Sequence, residues 1–208
     1  MSTMMITKAM PLSREELIPL NIYHHTNITP EMTSGLKRLL DSGRNETAIH
    51  RYLTEFPELL YRALYKTSTG HHNMKILSKQ SLIPKSPESK GMIPDFILGA
   101  KSSEGWGWFV IELKGYNDPL FSISKSEIGV SSIANKGVCQ ILEYIDKSTE
   151  IQSHIRDMFK LENFRNPKGI LLLGKKSEIE DEPRKKNLRR MFHEMMPDVM
   201  LLSYDCLI

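Results

Sequence analysis

Two carboxylates and a lysine stand in an otherwise apolar part of the chain. Asp95 precedes one apolar run, and Glu112 and Lys114 end the next, Trp-Phe-Val-Ile-Glu-Leu-Lys. Because successive side chains of a strand point to opposite faces, Glu112 and Lys114 share one face. The other face carries only apolar side chains: Phe109, Ile111 and Leu113. Charges at the end of a buried strand are costly unless mutual pairing or a metal offsets their desolvation.

The sequence predicts that these three groups meet on one face of a hairpin. Strands are expected over Phe96 to Gly99 and Trp106 to Leu113, joined by the polar turn Ala-Lys-Ser-Ser-Glu-Gly. A hairpin centred in that turn sets Asp95 opposite either Val110 or Glu112. Both registers have the same parity, so Asp95, Glu112 and Lys114 share a face in either case.

This set of side chains suits metal-assisted phosphodiester hydrolysis. Asp95 and Glu112 offer the hard oxygen ligands that Mg²⁺ prefers, with several waters completing its shell. Lys114 would position or deprotonate the attacking water and would stabilise negative charge in the transition state. The alternative reading is a salt bridge at a strand end on a solvated face, since Glu-x-Lys also arises by chance.

The other elements predict an α/β fold with a mixed sheet flanked by helices. Helices are expected over 30–43, from 45 to a second piece opened by Pro57, and over 131–148, 151–163 and 183–196. Strands are expected near 74–77, 168–176 and 199–207, and a polar loop over 115–131. The 131–148 helix should bury five residues: Ala134, Val138, Ile141, Leu142 and Ile145. Lys136, Gln140 and Tyr144 should line its adjacent edge. On the last helix, Leu188, Met191, Phe192 and Met195 are expected to face inward.

The order Pro94-Asp95, hairpin, Glu112-Leu113-Lys114 and then a helix with Gln140-x-x-x-Tyr144 resembles the PD-(D/E)XK (restriction-endonuclease-like) nuclease superfamily. Six segments are more narrowly similar to the Shedu antiviral nuclease domain: ETAIHRYLTEFPELL, IPDFIL, WFVIELKG, VCQILEYI, KGILLLGKK and SYDCLI. The resemblance covers about residues 44–208, the expected nuclease domain. Residues 1–43 are expected to form a variable N-terminal segment packed on it.

The resemblance implies a deoxyribonuclease that uses Mg²⁺ or Mn²⁺, acts on DNA (expected to be double-stranded) in antiphage defence or phage–host conflict, and assembles as a homo-oligomer. It assigns metal binding to Asp95 and Glu112 and catalysis to Lys114. Gln140 matches the family's helix glutamine and Glu46 its upstream helical carboxylate. Shedu strands often continue with a basic residue and proline, whereas Gly115 and Tyr116 follow here, which concerns substrate handling rather than the metal ligands.

Composition limits the classes of protein that fit. The 208 residues with 40% hydrophobic and 25% charged side chains favour one globular domain. No apolar run reaches the length of a membrane span and no signal-peptide pattern opens the chain, so a cytoplasmic location is expected. Two widely spaced cysteines agree with a reducing compartment. With a net charge of only +3, nucleic-acid binding would depend on a local patch.

Several further side chains have both a functional and a structural reading. Tyr144, Lys136, Arg189 and Arg190 are candidates for nucleic-acid binding, but Tyr144 also suits a half-buried core position and the basic run 184–190 a solvated helix face. His50 lies one turn from Glu46 and would face the site or the helix surface. His71 and His72 are adjacent in a loop and poorly spaced to chelate one ion. Trp106 and Trp108 would stack on bases or pack in the protein.

Two other functions remain open from the sequence. A member of the same fold without catalysis would bind nucleic acid or a protein partner as a scaffold or decoy, although such a domain has no reason to keep Asp95, Glu112 and Lys114 together. An RNA-directed nuclease is also open, because nothing in the motifs reads a 2′-hydroxyl.

Overall fold

The computed structural model describes residues 22–66, 73–82 and 91–208 and contains a mixed six-stranded sheet. The strands of this sheet are β1 Ile22–Tyr23, β2 Asn73–Ser78, β3 Phe96–Ser102, β4 Gly105–Leu113, β7 Lys168–Leu172 and β8 Val199–Leu202. They lie in the order β1-β2-β3-β4-β7-β8; β1 to β4 pair antiparallel, and β4, β7 and β8 run parallel. Both hairpin strands are longer than the sequence predicts, and the turn between them is only Ser103 and Glu104.

Helices cover both faces of the sheet. The α-helices are α1 Pro30–Asp41, α2 Glu46–Glu55, α3 Ser132–Glu150, α4 Gln152–Phe159, α5 Lys176–Glu180 and α6 Pro183–Met195. Three 3₁₀ segments span His25–Asn27, Pro57–Lys66 and Tyr204–Leu207. The predicted α/β class, a mixed sheet flanked by helices, is confirmed, and the arrangement is compatible with a PD-(D/E)XK-like fold.

Strand β4 divides the apolar residues between two cores. Phe109, Ile111 and Leu113 join the core beneath α1, α2 and the 57–66 segment. Val110 points to the other core, which α3, α4 and α6 cover. The predicted alternation is therefore confirmed, and Glu112 has the parity of Val110 and the α3 side of the sheet.

The helices that flank the site begin at side-chain caps. The Thr29 hydroxyl accepts from Met32 N–H at 3.4 Å, and the Asn45 side chain accepts from Ala48 N–H at 3.1 Å. Ser131 Oγ likewise accepts from Ala134 N–H at 3.0 Å. Each cap occupies an amide that the helix leaves unpaired, which fixes where α1, α2 and α3 start.

The structure corrects the prediction of a plain loop over 115–131. Phe121–Ser124 (β5) and Glu127–Val130 (β6) form a separate two-stranded hairpin between β4 and α3. Its residues are mostly exposed, so no long apolar alternation marked it in the sequence. The short α5 was also not predicted, and the segment after Pro57 is a 3₁₀ helix rather than an α-helix.

Other corrections concern apolar residues expected in the core. Leu142 is 41% exposed on α3, Met191 43% and Met195 76% on α6. Helix α6 has no buried residue at all; it lies over the sheet edge and contacts the core only through Leu188 and Phe192 among its own residues. Among the described residues, no helix combines the length and apolarity needed to cross a membrane.

Candidate active site

Asp95 and Glu112 face each other at the end of the β3–β4 ladder. Phe96 pairs with Ile111, and one further step along this register sets Asp95 opposite Glu112, which is one of the two predicted pairings. The two residues are only 9% and 5% exposed. The backbone holds the Asp95 side chain in place, because Leu113 N–H donates to Asp95 Oδ2 at 2.9 Å.

Lys114 turns back along its strand to the Glu112 carboxylate. Lys114 Nζ donates to Glu112 Oε1 at 2.6 Å, and the side chains are 12% and 7% exposed. Burial, aided by the nearby charges of Asp95 and Glu46 and opposed by Lys114, raises the pKa of Glu112 to about 7. The site therefore concentrates more negative charge than Lys114 neutralises.

The backbone around Lys114 is fixed on both sides. Lys114 N–H donates to Leu172 O at 2.9 Å, and the buried Tyr204 hydroxyl donates to Lys114 O at 2.6 Å. Gly115 N–H donates to Asp118 Oδ2 at 3.0 Å. Gly174 has a φ of +70°, and a Cβ there would lie 2.7 Å from Asp118 O, so only glycine fits this crossing.

Sequence analysis did not single out Tyr204 or Asp118 as parts of this support. Asp118 lies three residues after Gly115, a separation at which an aspartate can accept from an earlier backbone N–H, and this closeness is the one available signal. Tyr204 lies 90 residues after Lys114, and nothing in the chain links the two.

Helix α3 packs over the lysine and the carboxylates. A Cβ on Gly137 would lie 3.4 Å from Lys114 Cε, and the Tyr144 hydroxyl donates to Ile93 O at 3.3 Å. Burial raises the pKa of Tyr144, and the Glu112 carboxylate beside its hydroxyl adds to the shift. Gln140 lies between these two positions on the helix. Its Oε1 is buried and finds no hydrogen-bond partner among the described residues.

Helix α2 brings Glu46 and His50 to the other side of Asp95. Desolvation raises the pKa of Glu46; among the charges acting on it, Lys114 has the largest effect and lowers this pKa, and Asp95 raises it. His50 Nε2 lies 3.4 Å from Asp95 O and 3.3 Å from Ser78 Oγ, and its ring stacks on Phe96. Of the two readings of His50, the structure supports the one in which it faces the site.

Lys79 is a further basic residue beside this group, and no sequence pattern pointed to it. Its backbone N–H donates to Asp95 O at 2.9 Å, and its φ of 44° lies in the left-handed region. Its charge acts on Glu46 and lowers the pKa of His50, although burial is the larger cause for the histidine.

The donor set fits a hard divalent cation with few protein ligands. Within the described ranges, no group of three or more His, Cys, Asp or Glu side chains is arranged to hold a metal. Asp95 and Glu112 supply two carboxylates, and Mg²⁺ commonly takes one or two from a protein and keeps its waters. The unpartnered Gln140 oxygen is a suitable acceptor for such a water.

The remaining sequence candidates lie in different places. Lys136 is exposed on α3, one turn before Gln140, and Arg189 and Arg190 line a separate concavity beside α6. Trp106 and Trp108 pack in the protein: their indole N–H groups donate to Glu162 Oε2 and Glu162 O, each at 3.0 Å. His71 and His72 fall outside the described residues.

No curated protein matches the chain. The family described as Shedu protein SduA, C-terminal, matches residues 43–208, which include every residue of the site described above. The match covers most of the chain, and the chain therefore belongs to the Shedu family.

Proposed function

We propose that the chain is a divalent-metal-dependent deoxyribonuclease of the Shedu type, acting in prokaryotic antiphage defence or in phage–host conflict. The observation that carries this proposal is the buried pairing of Asp95 with Glu112 beside Lys114. Two carboxylates and an ammonium on one face, under a helix with an unpartnered amide oxygen, cost folding free energy. A substrate and a metal that use them account for that cost.

Asp95 and Glu112 would hold Mg²⁺ or Mn²⁺, which when bound supplies Lewis acidity toward water and toward the phosphodiester. The backbone contact from Leu113 N–H to Asp95 Oδ2 orients one carboxylate. The Lys114 ammonium orients the other, and the Tyr144 hydroxyl lies near it. Positions that are fixed in advance avoid reorganisation during the reaction.

Lys114 is the residue suited to handle the attacking water and the developing charge. Its ammonium lies against Glu112 and leaves donors for a water or a phosphate oxygen. The Gln140 oxygen would accept one hydrogen bond from the attacking water and so direct a lone pair at phosphorus. Glu46, near Lys114 and Asp95, would accept the proton that the attacking water loses as its oxygen bonds to phosphorus, while the bridging P–O bond breaks and the leaving oxygen takes a proton from solvent.

A second candidate is a nucleic-acid- or protein-binding scaffold without catalysis. The observation favouring it is the small ligand set: in the described part of the chain, no three His, Cys, Asp or Glu side chains converge to hold a metal, as they do in many metal sites. In that case the Lys114–Glu112 pair would be a structural salt bridge.

Double-stranded DNA is the proposed substrate and a homo-oligomer the proposed assembly. With a net charge of +3, one chain offers a modest positive footprint, and several copies would strengthen weak contacts through avidity. Light scattering should give a mass at least twice 23.9 kDa; a monomer that cleaves DNA at full rate would remove this part of the proposal.

The deciding experiment incubates the protein with linear, circular and single-stranded DNA and with RNA, with Mg²⁺, Mn²⁺ or EDTA. Cleavage of DNA that requires the divalent ion supports the nuclease. Binding without cleavage in any of these conditions supports the scaffold, and divalent-dependent cleavage of RNA alone supports the RNA-directed alternative.

A further inference from the structure

A concavity beside α6 collects basic side chains that the active site does not use. Its volume is about 540 Å³. Four basic residues line it together with Pro197 and Met200: Lys186, Arg189, Arg190 and His193. No carboxylate contributes to its lining. This set of residues is called the α6 pocket below.

The cations of the α6 pocket are only partly neutralised. Arg190 pairs with Glu194 at 2.5 Å. Lys186 and Arg189 form no ion pair with any residue in the described part of the chain. His193 Nε2 accepts from Leu201 N–H at 3.0 Å, so its ring is anchored to the outer edge of β8. The α6 pocket thus presents two cations without an ion pair among the described residues, Lys186 and Arg189, beside the anchored His193 ring.

The first turn of α6 concentrates positive charge. It contains three cations and no acidic residue: Arg184, Lys185 and Lys186. The Glu182 carboxylate caps this end of the helix by accepting from Arg184 N–H at 3.1 Å. Lys185 pairs with Glu178, and the Arg184 guanidinium donates to the Ser126 carbonyl. Lys186 has no ion pair with the described residues, so its ammonium is available to an anionic partner.

Helix α6, which carries the cations of the α6 pocket, begins at the edge of the sheet where the active site lies. Strands β4, β7 and β8 are parallel, so the end of β4 that carries Lys114 and the end of β7 that leads into α5 and α6 lie at the same edge. Arg184 Nη2 donates to Ser126 O at 2.6 Å, which joins the start of α6 to the β5–β6 hairpin. From there α6 runs back beside β8 for about 20 Å, with Lys186 and Arg189 along its course.

From this charge and placement we infer that the α6 pocket binds backbone phosphates of nucleic acid at a distance from the cleaved bond. The inference rests on the proposed function, because it concerns the same substrate. Phosphate oxygens would pair with Lys186 and Arg189, the two cations of the pocket that have no ion pair with the described residues. Contacts of this kind position the duplex and carry no sequence preference.

The test compares two double variants that remove the same charge. Lys186→Gln/Arg189→Gln empties the α6 pocket of its unpaired cations. Lys37→Gln/Arg38→Gln removes two exposed cations from α1, which covers the opposite face of the sheet. Affinity for a duplex of about 30 base pairs is measured by fluorescence anisotropy in EDTA over a range of salt. Thermal melts confirm that both variants are folded.

We expect the α6 variant to bind roughly 50-fold more weakly at about 0.1 M salt, with the slope of log affinity against log salt reduced by about 1.8. The α1 variant should match the parent. Equal affinity and slope for the parent and the α6 variant would overturn the inference. If the parent binds DNA through the α6 pocket but cleaves nothing with Mg²⁺ or Mn²⁺, the nuclease proposal fails and the phosphate site stands. If the parent binds no DNA, both fail.

Discussion

The ammonium of Lys114 bonds the carboxylate of Glu112, two residues earlier on the same strand, with 2.6 Å between Nζ and Oε1. Side chains two residues apart on a strand normally extend side by side from the same face. Here the lysine side chain instead contacts the carboxylate, and both side chains are almost buried. The contact keeps the lysine directly beside the carboxylates instead of in solvent. It also makes Lys114 the main group that offsets the burial of Glu112.

Lys114→Ala is expected to reduce divalent-dependent DNA cleavage by at least about 100-fold, because one preorganised charge donor commonly contributes a factor of that size. Metal binding should persist, since the lysine is not a ligand. Cleavage rates and the Mg²⁺-induced rise in melting temperature measure the two effects separately.

Lys176→Ala is the matched control for this change. Lys176 is exposed and pairs with Glu180 on the surface, so its loss should leave both measurements near the parent's values. Near-parental cleavage by Lys114→Ala would exclude the role assigned to it and favour the structural salt bridge.

Glu112→Gln is expected to abolish stabilisation by Mg²⁺ or Mn²⁺. A ligand that binds only the folded state stabilises it by about 2.7 kcal/mol at 100 times its Kd, and the amide removes one of the two anionic ligands. Melting temperature is followed against ion concentration for the parent and the variant. Glu143→Gln, which alters an exposed carboxylate on α3, should keep the full response. A parent protein indifferent to millimolar ion would favour the scaffold.

The pH dependence of stability should report the buried Glu112. Desolvation raises the pKa of Glu112 in the folded chain to about 7 from the ordinary 4.5. Between these values the folded state holds a proton that the unfolded state has lost, so the free energy of unfolding falls as pH rises. The contribution is fully present below about pH 4.5 and is lost through pH 7, a total of about 3 kcal/mol.

Denaturant unfolding in EDTA at pH 5, 6, 7 and 8 measures this loss against Glu112→Gln, which has no proton to exchange there. The difference in slope between the two proteins is the expected result. Stabilisation by Mg²⁺ should grow over the same range, because the ion competes with that proton. Parallel pH profiles would mean that Glu112 is ionised throughout.

Much of the site was predictable because it follows from local rules. Period-two alternation settles which face Glu112 and Lys114 take, and a hairpin with a polar turn brings Asp95 to the same face in either register. Gln140 and Tyr144 follow from helical spacing, since they lie one turn apart. The resemblance to Shedu proteins located the same residues.

The remaining contacts depend on where separate elements meet, and no local pattern encodes that. Lys79 reaches Asp95 only through its backbone N–H, which any residue other than proline supplies. Tyr204 supports Lys114 across 90 positions. Met191 and Met195 fit a helical stripe, yet α6 lies at the margin of the sheet and leaves them exposed. Amphipathic spacing shows which residues share one face of a helix, but it does not show whether another element of the fold covers that face.

Gly169 on β7 sets how closely α3 approaches the sheet. A Cβ there would lie 2.1 Å from Ile141 Cγ2, and Ile141 is fully buried and branched at Cβ, so it has little freedom to move aside. Gly169→Ala is therefore expected to destabilise the fold by about 1–3 kcal/mol.

The same change should lift α3 and shift Gln140 and Tyr144 from the carboxylates, so cleavage per folded molecule should also fall. Gly129→Ala is the control, because a Cβ on Gly129 meets nothing within 4 Å. Denaturant unfolding gives the loss of stability, and turnover measured well below the melting temperature gives the effect on the site. If Gly169→Ala is destabilised but cleaves at the parent's rate, the position of α3 does not govern catalysis, and the roles proposed for Gln140 and Tyr144 must be abandoned.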